Sequence, residues 1–248
     1  MPFAPPLVLS IAAADPTGGA GAQADVLTLA ALGCHPLSVL TAVTVQDLHG
    51  VHRLHVLDAQ LLTEQAQRLL DAHRVAAIKI GVIASTANAR AIATLLAAHP
   101  AVPVVLDPVL ASGRGDPLAD AALPDALREH LLPLTTVLTP NTLEARALGG
   151  VAACLERGCR YVLLTGTHAD TPDVLNTLHG AEGVVREDRW RRLPGSYHGS
   201  GCTLASAIAA RLAHGDPVPQ AVRAAQDFTW RSLERGFRPG SGQTLPWR

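Results

Sequence analysis

The segment 198–203, His-Gly-Ser-Gly-Cys-Thr, places glycines, a histidine and a cysteine directly before an alanine-rich run. That run predicts a helix, and the glycines let the backbone N–H groups of its first turn converge on an anion such as phosphate. The same helix end favours the thiolate form of a cysteine. Two chemistries fit: a phosphate cradle, or a nucleophilic Cys202 with His198 as its base. An ordinary glycine turn before a helix would have the same sequence.

Two acidic residues follow neighbouring predicted strands. Asp107 comes directly after the apolar run Val104–Leu106, and Glu144 follows the run Thr136–Leu138. In an open α/β sheet the carboxyl ends of parallel strands meet at one edge, where ligands bind. Two carboxylates there can hold a hydrated Mg²⁺ through its waters. Glu144 could equally be a favourable charge near a helix N-terminus.

A glycine-rich loop follows the first predicted strand. Residues 19–24, Gly-Ala-Gly-Ala-Gln-Ala, fit the loose Gly-x-Gly-x-x-Ala pattern of dinucleotide-binding loops. Asp47, after the second strand, would then be the ribose-binding acid of a dehydrogenase. Against this alternative, residues 15–17 separate the strand from the first glycine, whereas a dinucleotide-binding loop begins tightly at the strand end.

Two further groups of residues have simple structural explanations. His49, His52 and His55 lie in a turn and a strand, where their spacing does not place all three on one face, so we expect exposed histidines. Lys79 is the only lysine and lies within an apolar run, where a buried lysine must be paired or lose its charge. A structural ion pair and a catalytic role both remain open for it. Because Ile80 follows Lys79, the chain has no Walker A loop.

Short apolar runs alternate with longer alanine- and leucine-rich runs, which predicts a doubly wound, mostly parallel α/β sheet. The predicted strands are Leu7–Ala13, Leu37–Val43, Arg53–Leu57, Ala77–Gly81, Val104–Leu106, Thr136–Leu138 and Tyr161–Leu164. The predicted helices are Ala22–Leu32, Ala59–Ala72, Thr86–Ala98, Ala119–Leu131, Thr142–Leu148, Thr203–His214 and Val218–Arg235. Asp173–Leu178 and Val184–Leu193 predict an antiparallel hairpin at the sheet edge. With no repeat, linker or break in composition, we expect one domain over residues 1–248, with an irregular tail from about 237.

Composition excludes several classes of protein. The net charge of -1 and a pI near 6.8 provide no basic field for nucleic acid or an anionic membrane. Four cysteines without a Cys-x-x-Cys pair are typical of a reducing compartment. The apolar stretch Leu7–Ala14 follows no cation and ends in Asp15-Pro16, so it predicts a buried strand rather than a signal peptide. We therefore expect a soluble, cytoplasmic protein.

Six segments, in this order and at consistent spacing, resemble the hydroxymethylpyrimidine/phosphomethylpyrimidine kinases of thiamin synthesis, within the ribokinase-like superfamily. Each segment is weak alone, but together they are specific, and the resemblance runs from Leu7 to about Glu234. The segments are Ile11–Asp25, Thr41–Gln46 with His49-Gly50-Val51, Ile78–Gly81, Leu106–Val109, Thr139–Asn141 with Glu144-Ala145, and Gly199–Leu204.

The resemblance implies a ribokinase-like three-layer sandwich and ATP-dependent phosphorylation of 4-amino-5-hydroxymethyl-2-methylpyrimidine, often followed by phosphorylation of the monophosphate to the diphosphate. It also implies a homodimer. In this family Gln46 would hydrogen-bond the aminopyrimidine edge, and Asp107 and Glu144 would position Mg²⁺ through waters. The backbone of Gly199, Ser200, Gly201 and Cys202 would form the anion hole, and Cys202 would stand where the wider superfamily has an aspartate base. Asp25, Ala13, Thr44, Val82 and Val109 would frame the substrate pocket, and Thr165, Gly166 and Gly201 would contact ATP.

The chain departs from the family pattern at four places. Ala13 carries a methyl group where a glycine is usual, and Val82 replaces a methionine in the pocket wall. Thr165 replaces a lysine near the phosphates, which weakens charge neutralisation unless an arginine reaches in. The connection Gly149–Val151 is shorter than in relatives. A pyridoxal-type kinase of the same fold and a non-catalytic pyrimidine-binding protein are the alternatives.

Overall fold

The computed structural model describes residues 4–112, 115–167 and 171–248. Nine strands form one sheet in the order β3-β2-β1-β4-β5-β6-β7-β8-β9. The strands are β1 Leu7–Ala14, β2 His35–Asp47, β3 Gly50–Val56, β4 Val75–Ile80, β5 Val104–Leu106, β6 Val137–Leu138, β7 Tyr161–Thr165, β8 Asp173–Gly180 and β9 Gly183–Arg191. Neighbours from β2 to β7 pair in parallel, whereas β3, β8 and β9 pair antiparallel at the two ends.

Helices cover both faces of the sheet. They are α1 Gly21–Ala31, α2 Ala59–Ala72, α3 Thr86–Ala97, α4 Leu123–Ala126, α5 Thr142–Ala147, α6 Val151–Glu156, α7 Ser200–Ala213 and α8 Val218–Glu234. Side chains of β1 alternate between the two faces because a strand has a period of two residues. Leu9 and Ile11 belong to the core formed with α2 and α3, and Val8 belongs to the core formed with α1, α7 and α8. The predicted three-layer α/β sandwich is confirmed.

The antiparallel hairpin predicted near residue 180 is confirmed as β8 and β9, but the β2–β3 pair was missed. The segment Arg53–Leu57 was predicted without a partner, and the structure extends β2 to Asp47 and turns back at once. The Asp47 carboxylate accepts hydrogen bonds from the backbone N–H groups of His49 and Gly50, which closes this tight turn. Asp47 is therefore a turn residue rather than a ribose-binding acid.

The predicted helix Ala119–Leu131 is wrong in its first part. Asp120 accepts hydrogen bonds from the backbone of Thr86 and Ala122, so this stretch forms a turn. The α-helix begins at Leu123, has Pro124 in its first turn and continues as a π-helical turn over Leu127–Leu131. Helix α6 was also missed, because Gly149 and Gly150 directly before it are typical of a loop and not of a helix start. Both glycines have left-handed φ angles of 92° and 93°, which close the short connection after α5.

The tail after α8 contains no helix or long strand, yet it packs against the body of the protein. Phe237 bridges to Leu245, and Tyr197 bridges to Thr244. Thr244 and Leu245 are buried. Within the described residues, no helix has the length and hydropathy needed to cross a membrane.

Candidate active site

The loop between β1 and α1 lies against the first turn of α7 at the carboxyl edge of the sheet. Gly199 has a left-handed φ of 78°, and a side chain there would collide with the carbonyl oxygen of Gly19. Only glycine allows this approach of two backbones. The backbone N–H groups at the start of α7 lack partners within the helix, so this edge presents donors for an anion.

Asp107 lies beside this helix start. A Cβ atom at Gly201 would stand 3.6 Å from Asp107 Oδ2, which is ordinary van der Waals contact. Asp107 is 4% exposed, and its Oδ2 is buried without a hydrogen-bond partner among the described residues. Burial raises the pKa of the Asp107 carboxyl, an effect that Lys79 opposes and Asp25 reinforces. A buried carboxylate oxygen without a partner is costly, and a bound cation would satisfy it.

Glu144 has the helix-capping role considered for it, and it also interacts with Asp107. Its Oε2 accepts a hydrogen bond from the backbone N–H of Asn141 at 2.9 Å, completing a capping box at the start of α5. Burial and the negative charge of Asp107 raise the pKa of Glu144. The two carboxyl groups therefore interact, and they fit a Mg²⁺ ion held largely through its waters. Among the described residues, no three His, Cys, Asp or Glu side chains group into a site that could hold a metal directly.

Lys79 forms a fully buried ion pair with Asp25, which is the structural role that the sequence left open. Its Nζ lies 2.7 and 2.8 Å from the two carboxylate oxygens. The hydroxyl groups of Ser10 and Ser206 donate to the same carboxylate at 2.6 and 2.8 Å. Asp25 has no exposed surface. The position in the substrate pocket that the resemblance implied for Asp25 is therefore corrected: it holds β1, β4, α1 and α7 together beneath the site.

Cys202 does not have the thiolate character expected from its place at a helix N-terminus. Burial raises the pKa of its thiol to about 12, and the positive charge of Lys79 offsets this only in part. The Cys202 thiol is therefore protonated at neutral pH. The partial positive charge of the helix N-terminus lowers the pKa of Cys202 less than the loss of contact with water raises it.

Gln46, His198 and Asp15 form a polar group next to the start of α7. The Nε2 atoms of Gln46 and His198 are 3.5 Å apart, and His198 Nε2 is 2.8 Å from Asp15 Oδ2. Asp15 also accepts hydrogen bonds from the backbone and side chain of Thr17 and from the backbone N–H of Ala20. Burial would raise the pKa of Asp15, but the hydrogen bonds from His198 and Thr17 outweigh it and hold the pKa well below its usual range. Because the ionised Asp15 accepts a hydrogen bond from His198 Nε2, Asp15 fixes the ring of His198 beside Gln46, and the Gln46 amide remains open to a ligand.

The predicted pocket walls come together. Ala13, Val82 and Val109 belong to one apolar cluster with Ala42, Ala84 and Leu118. Thr44 stands on the adjacent β2, where its hydroxyl donates to the carbonyl oxygen of Ala14 at 2.9 Å. A cleft next to this cluster is lined by Gln46, Asp47, Gly50, Val51, Ser112, His198 and Gln243.

Thr165 and Gly166 lie at the end of β7, beside the loop that carries Asn141. The backbone N–H of Thr165 donates to the carbonyl oxygen of Pro140 at 3.0 Å, and Thr165 pairs with Asn141. A side chain at Gly166 would collide with the carbonyl oxygen of Leu175. The structure thus puts both residues on the Glu144 side of the site.

Sequence reasoning missed Ser10 and Ser206, although a signal was available. Each is a lone hydroxyl in an otherwise apolar run, and each is fully buried. A buried hydroxyl needs a partner, and here both use the Asp25 carboxylate.

The sheet order, the glycine contact at the start of α7 and the acidic pair beside it together define a ribokinase-like kinase. The structure is similar to the ADP complex of Bacillus subtilis pyridoxal kinase, with a TM-score of 0.87, 27% identity, and 98% and 97% of the two chains covered. It is also similar to phosphomethylpyrimidine kinase from Clostridium difficile 630, with a TM-score of 0.77, 30% identity, and 90% and 97% covered.

The family model for phosphomethylpyrimidine kinase matches residues 15–247, and the chain belongs to this family. It is 40% identical to a hydroxymethylpyrimidine/phosphomethylpyrimidine kinase of Streptomyces coelicolor, over 97% of this chain and 93% of the relative. It is 39% identical to the Mycobacterium tuberculosis H37Rv protein of the same name, over 96% and 92%. The predicted family and the prediction of a kinase are confirmed, and the dehydrogenase and cysteine-hydrolase alternatives are set aside.

The alignment with the Streptomyces relative spans 259 positions, more than the 248 residues of this chain. The relative therefore has residues that this chain lacks. The closed turn at Gly149-Gly150 between α5 and α6 is consistent with a shorter connection there.

Proposed function

We propose that the protein transfers a phosphoryl group from ATP to the hydroxymethyl group of 4-amino-5-hydroxymethyl-2-methylpyrimidine, and then phosphorylates the monophosphate to the diphosphate. One observation carries the proposal. The first turn of α7 has Asp107, with its unpaired buried oxygen, beside Gly201, and it begins just after His198, which lies 3.5 Å from Gln46. A helix end suited to phosphate thus lies beside a carboxylate suited to Mg²⁺ and directly follows the histidine that contacts the Gln46 amide. The names of the relatives support the same substrate.

In the proposed reaction, Gln46 offers the pyrimidine one donor and one acceptor, and the apolar cluster around Ala13, Val82 and Val109 covers its ring. The backbone N–H groups of residues 200–202 stabilise the negative charge on the migrating phosphoryl group. Asp107 and Glu144 are the residues that would hold Mg²⁺, which neutralises phosphate charge when bound. Thr165 and Gly166 are proposed to contact ATP from the end of β7.

Cys202 enters this reaction as a neutral thiol. A base that must first lose a proton at a pKa near 12 gives little help at neutral pH. Phosphoryl transfer proceeds through a loose transition state in most analyses, so the substrate hydroxyl need not be deprotonated early. We therefore assign the larger share of catalysis to the amides of the anion hole.

The test is ADP release, measured with Mg²⁺ and hydroxymethylpyrimidine, its monophosphate, pyridoxal or ribose as acceptor. We expect turnover with the first two. Folded protein that binds the pyrimidine tightly but releases no ADP would instead be a non-catalytic pyrimidine-binding protein. The pyridoxal arm matters because pyridoxal kinase is among the similar structures. Turnover on pyridoxal with none on the pyrimidine would establish that second function.

We further propose one domain, a homodimer and a cytoplasmic location. A single sheet includes every strand from β1 to β9, which supports one domain. All four cysteines are free, which suits a reducing compartment. Val43, Val45 and Val56 are exposed apolar residues of β2 and β3, a surface suited to a second copy of the chain.

A further inference from the structure

Arg248 binds two separate elements of the site with one side chain. Its Nη2 donates to the carbonyl oxygen of Gly19 at 2.6 Å, and its Nη1 lies 3.5 Å from that of Gly18. Its Nε donates to Thr203 Oγ1 at 3.0 Å. Gly18 and Gly19 belong to the β1–α1 loop, whereas Thr203 lies in the first turn of α7. The planar guanidinium can satisfy these partners at once because its N–H groups are fixed in a fork.

The two elements meet through glycines, and Arg248 adds to the side-chain link that His198 makes with Asp15. Gly199 and Gly19 approach backbone to backbone, so no side chain of either residue packs across the junction. The hydroxyl of Thr203 donates within its own helix, to the carbonyl oxygen of Gly199 at 2.8 Å, and its oxygen accepts from Arg248. The charged hydrogen bonds of Arg248 are stronger than those of a neutral donor.

The backbone of the tail fixes Arg248 in place. The N–H of His198 donates to the carbonyl oxygen of Thr244 at 3.0 Å, and the N–H of Thr244 donates to that of Ser196 at 2.9 Å. The N–H of Trp247 donates to the carbonyl oxygen of Ser232 in α8 at 2.9 Å. Arg248 therefore extends from a segment that is held on both sides, which lowers the entropy lost on ordering its side chain.

We propose that Arg248 is a positioning residue for phosphoryl transfer, and this inference rests on the proposed function. Its guanidinium holds the β1–α1 loop, which carries Asp15 and hence orients His198, in register with the amides of residues 200–202. The residues that recognise the substrate and the amides that stabilise the phosphoryl group are thereby kept at a fixed distance from each other. A displacement of about 1 Å between reacting groups can cost about 100-fold in rate.

The test compares the wild type with Arg248→Ala, Arg248→Lys and the control Arg235→Ala, which removes an exposed arginine near the end of α8. We expect Arg248→Ala to lower kcat about 10- to 100-fold, with a smaller change in the KM for ATP. Arg248→Lys should recover part of kcat, and added guanidinium ion should partly rescue Arg248→Ala. The control should match the wild type.

Amide hydrogen exchange provides a readout that needs no activity. In Arg248→Ala we expect faster exchange in segments 18–22 and 199–204, with β4 and β5 unchanged. A wild type that releases no ADP, together with faster exchange of both segments in Arg248→Ala, would contradict the proposed function. The same result would confirm that Arg248 links the two elements. A lower Tm with unchanged kcat, or unchanged exchange in both segments, would overturn the positioning role.

Discussion

At the scale of single residues, the Gln46 side chain is the group best placed to recognise the pyrimidine. It stands 3.5 Å from His198 in the cleft beside the anion hole. A substrate group left without its hydrogen-bond partner costs about 1–3 kcal/mol, so Gln46→Ala should weaken pyrimidine binding about tenfold or more. Titration calorimetry should show ATP affinity unchanged. Gln60→Ala, which alters an exposed residue of α2, is the control. Equal losses for both ligands would indicate a folding defect and contradict the assignment.

Cys202 gives a prediction that follows from its raised pKa. Loss of a general base usually costs 10²–10⁴-fold, whereas we expect Cys202→Ala to retain kcat within about tenfold because the thiol is protonated. The pH dependence of alkylation provides an independent check. Thiolate is the reactive form, so labelling of Cys202 by iodoacetamide should still be increasing at pH 10. Labelling that levels off near pH 9, or a loss of 100-fold in kcat, would contradict this prediction.

The contrast between Asp107 and Asp25 shows how far single residues can be predicted from sequence. Asp107 directly follows a buried strand, so its place at the sheet edge follows from the fold class alone. Asp25 lies within α1, and its role depends on Lys79, Ser10 and Ser206, which come from three other elements. Nothing in the local sequence around Asp25 brings those groups together. Sequence also gave no sign of Arg248, whose partners lie 45 to 230 positions away in the chain.

At the scale of elements, the first turn of α7 can be tested separately for folding and for function. A methyl group at Gly201 would meet only ordinary contacts, 3.6 Å from Asp107 Oδ2, and alanine favours the helix. Gly201→Ala should therefore keep or slightly raise Tm, while its methyl group fills the space between the amides and Asp107. We expect kcat to fall about 100-fold or more, as when an oxyanion donor is lost.

The matched variant is Gly199→Ala, in which the methyl group collides with the Gly19 carbonyl oxygen at a left-handed φ. It should lower Tm as well as kcat, because the backbone must shift. Thermal melts and ADP release on both proteins separate the two effects. A fully active Gly201→Ala would show that phosphate does not occupy this space.

Among the elements, helices with clear boundaries were predicted well and turns were not. Helix α8 was predicted as Val218–Arg235 and observed as Val218–Glu234, because Pro217 marks its start and its apolar face is regular. The β2–β3 hairpin was missed because its turn depends on one side chain, Asp47, satisfying two backbone N–H groups. A pattern of alternating runs does not contain that information.

At the scale of the whole molecule, the exposed face of the β2–β3 hairpin is the surface proposed for the dimer. Val43 and Val45 of β2 pair with His55 and Arg53 of β3, and these four residues line an open cleft of about 400 Å³. Val45 is 49% exposed. A surface of this kind, with two valines beside Arg53 and His55, can pack against a second copy of itself about a two-fold axis.

Val45→Glu should weaken the proposed dimer, because each copy would bring one carboxylate into the interface near the symmetry axis. The two negative charges would lose their water and repel each other. We expect the dimer dissociation constant to rise at least tenfold, which is about 1.4 kcal/mol. Light scattering on a size-exclusion column across a concentration series measures it. Val185→Glu changes a similarly exposed valine on β9, at the other end of the sheet, and should leave the dimer intact. If only Val185→Glu dissociates the dimer, the interface lies at β9 instead. A wild type that is monomeric at every concentration would refute the dimer.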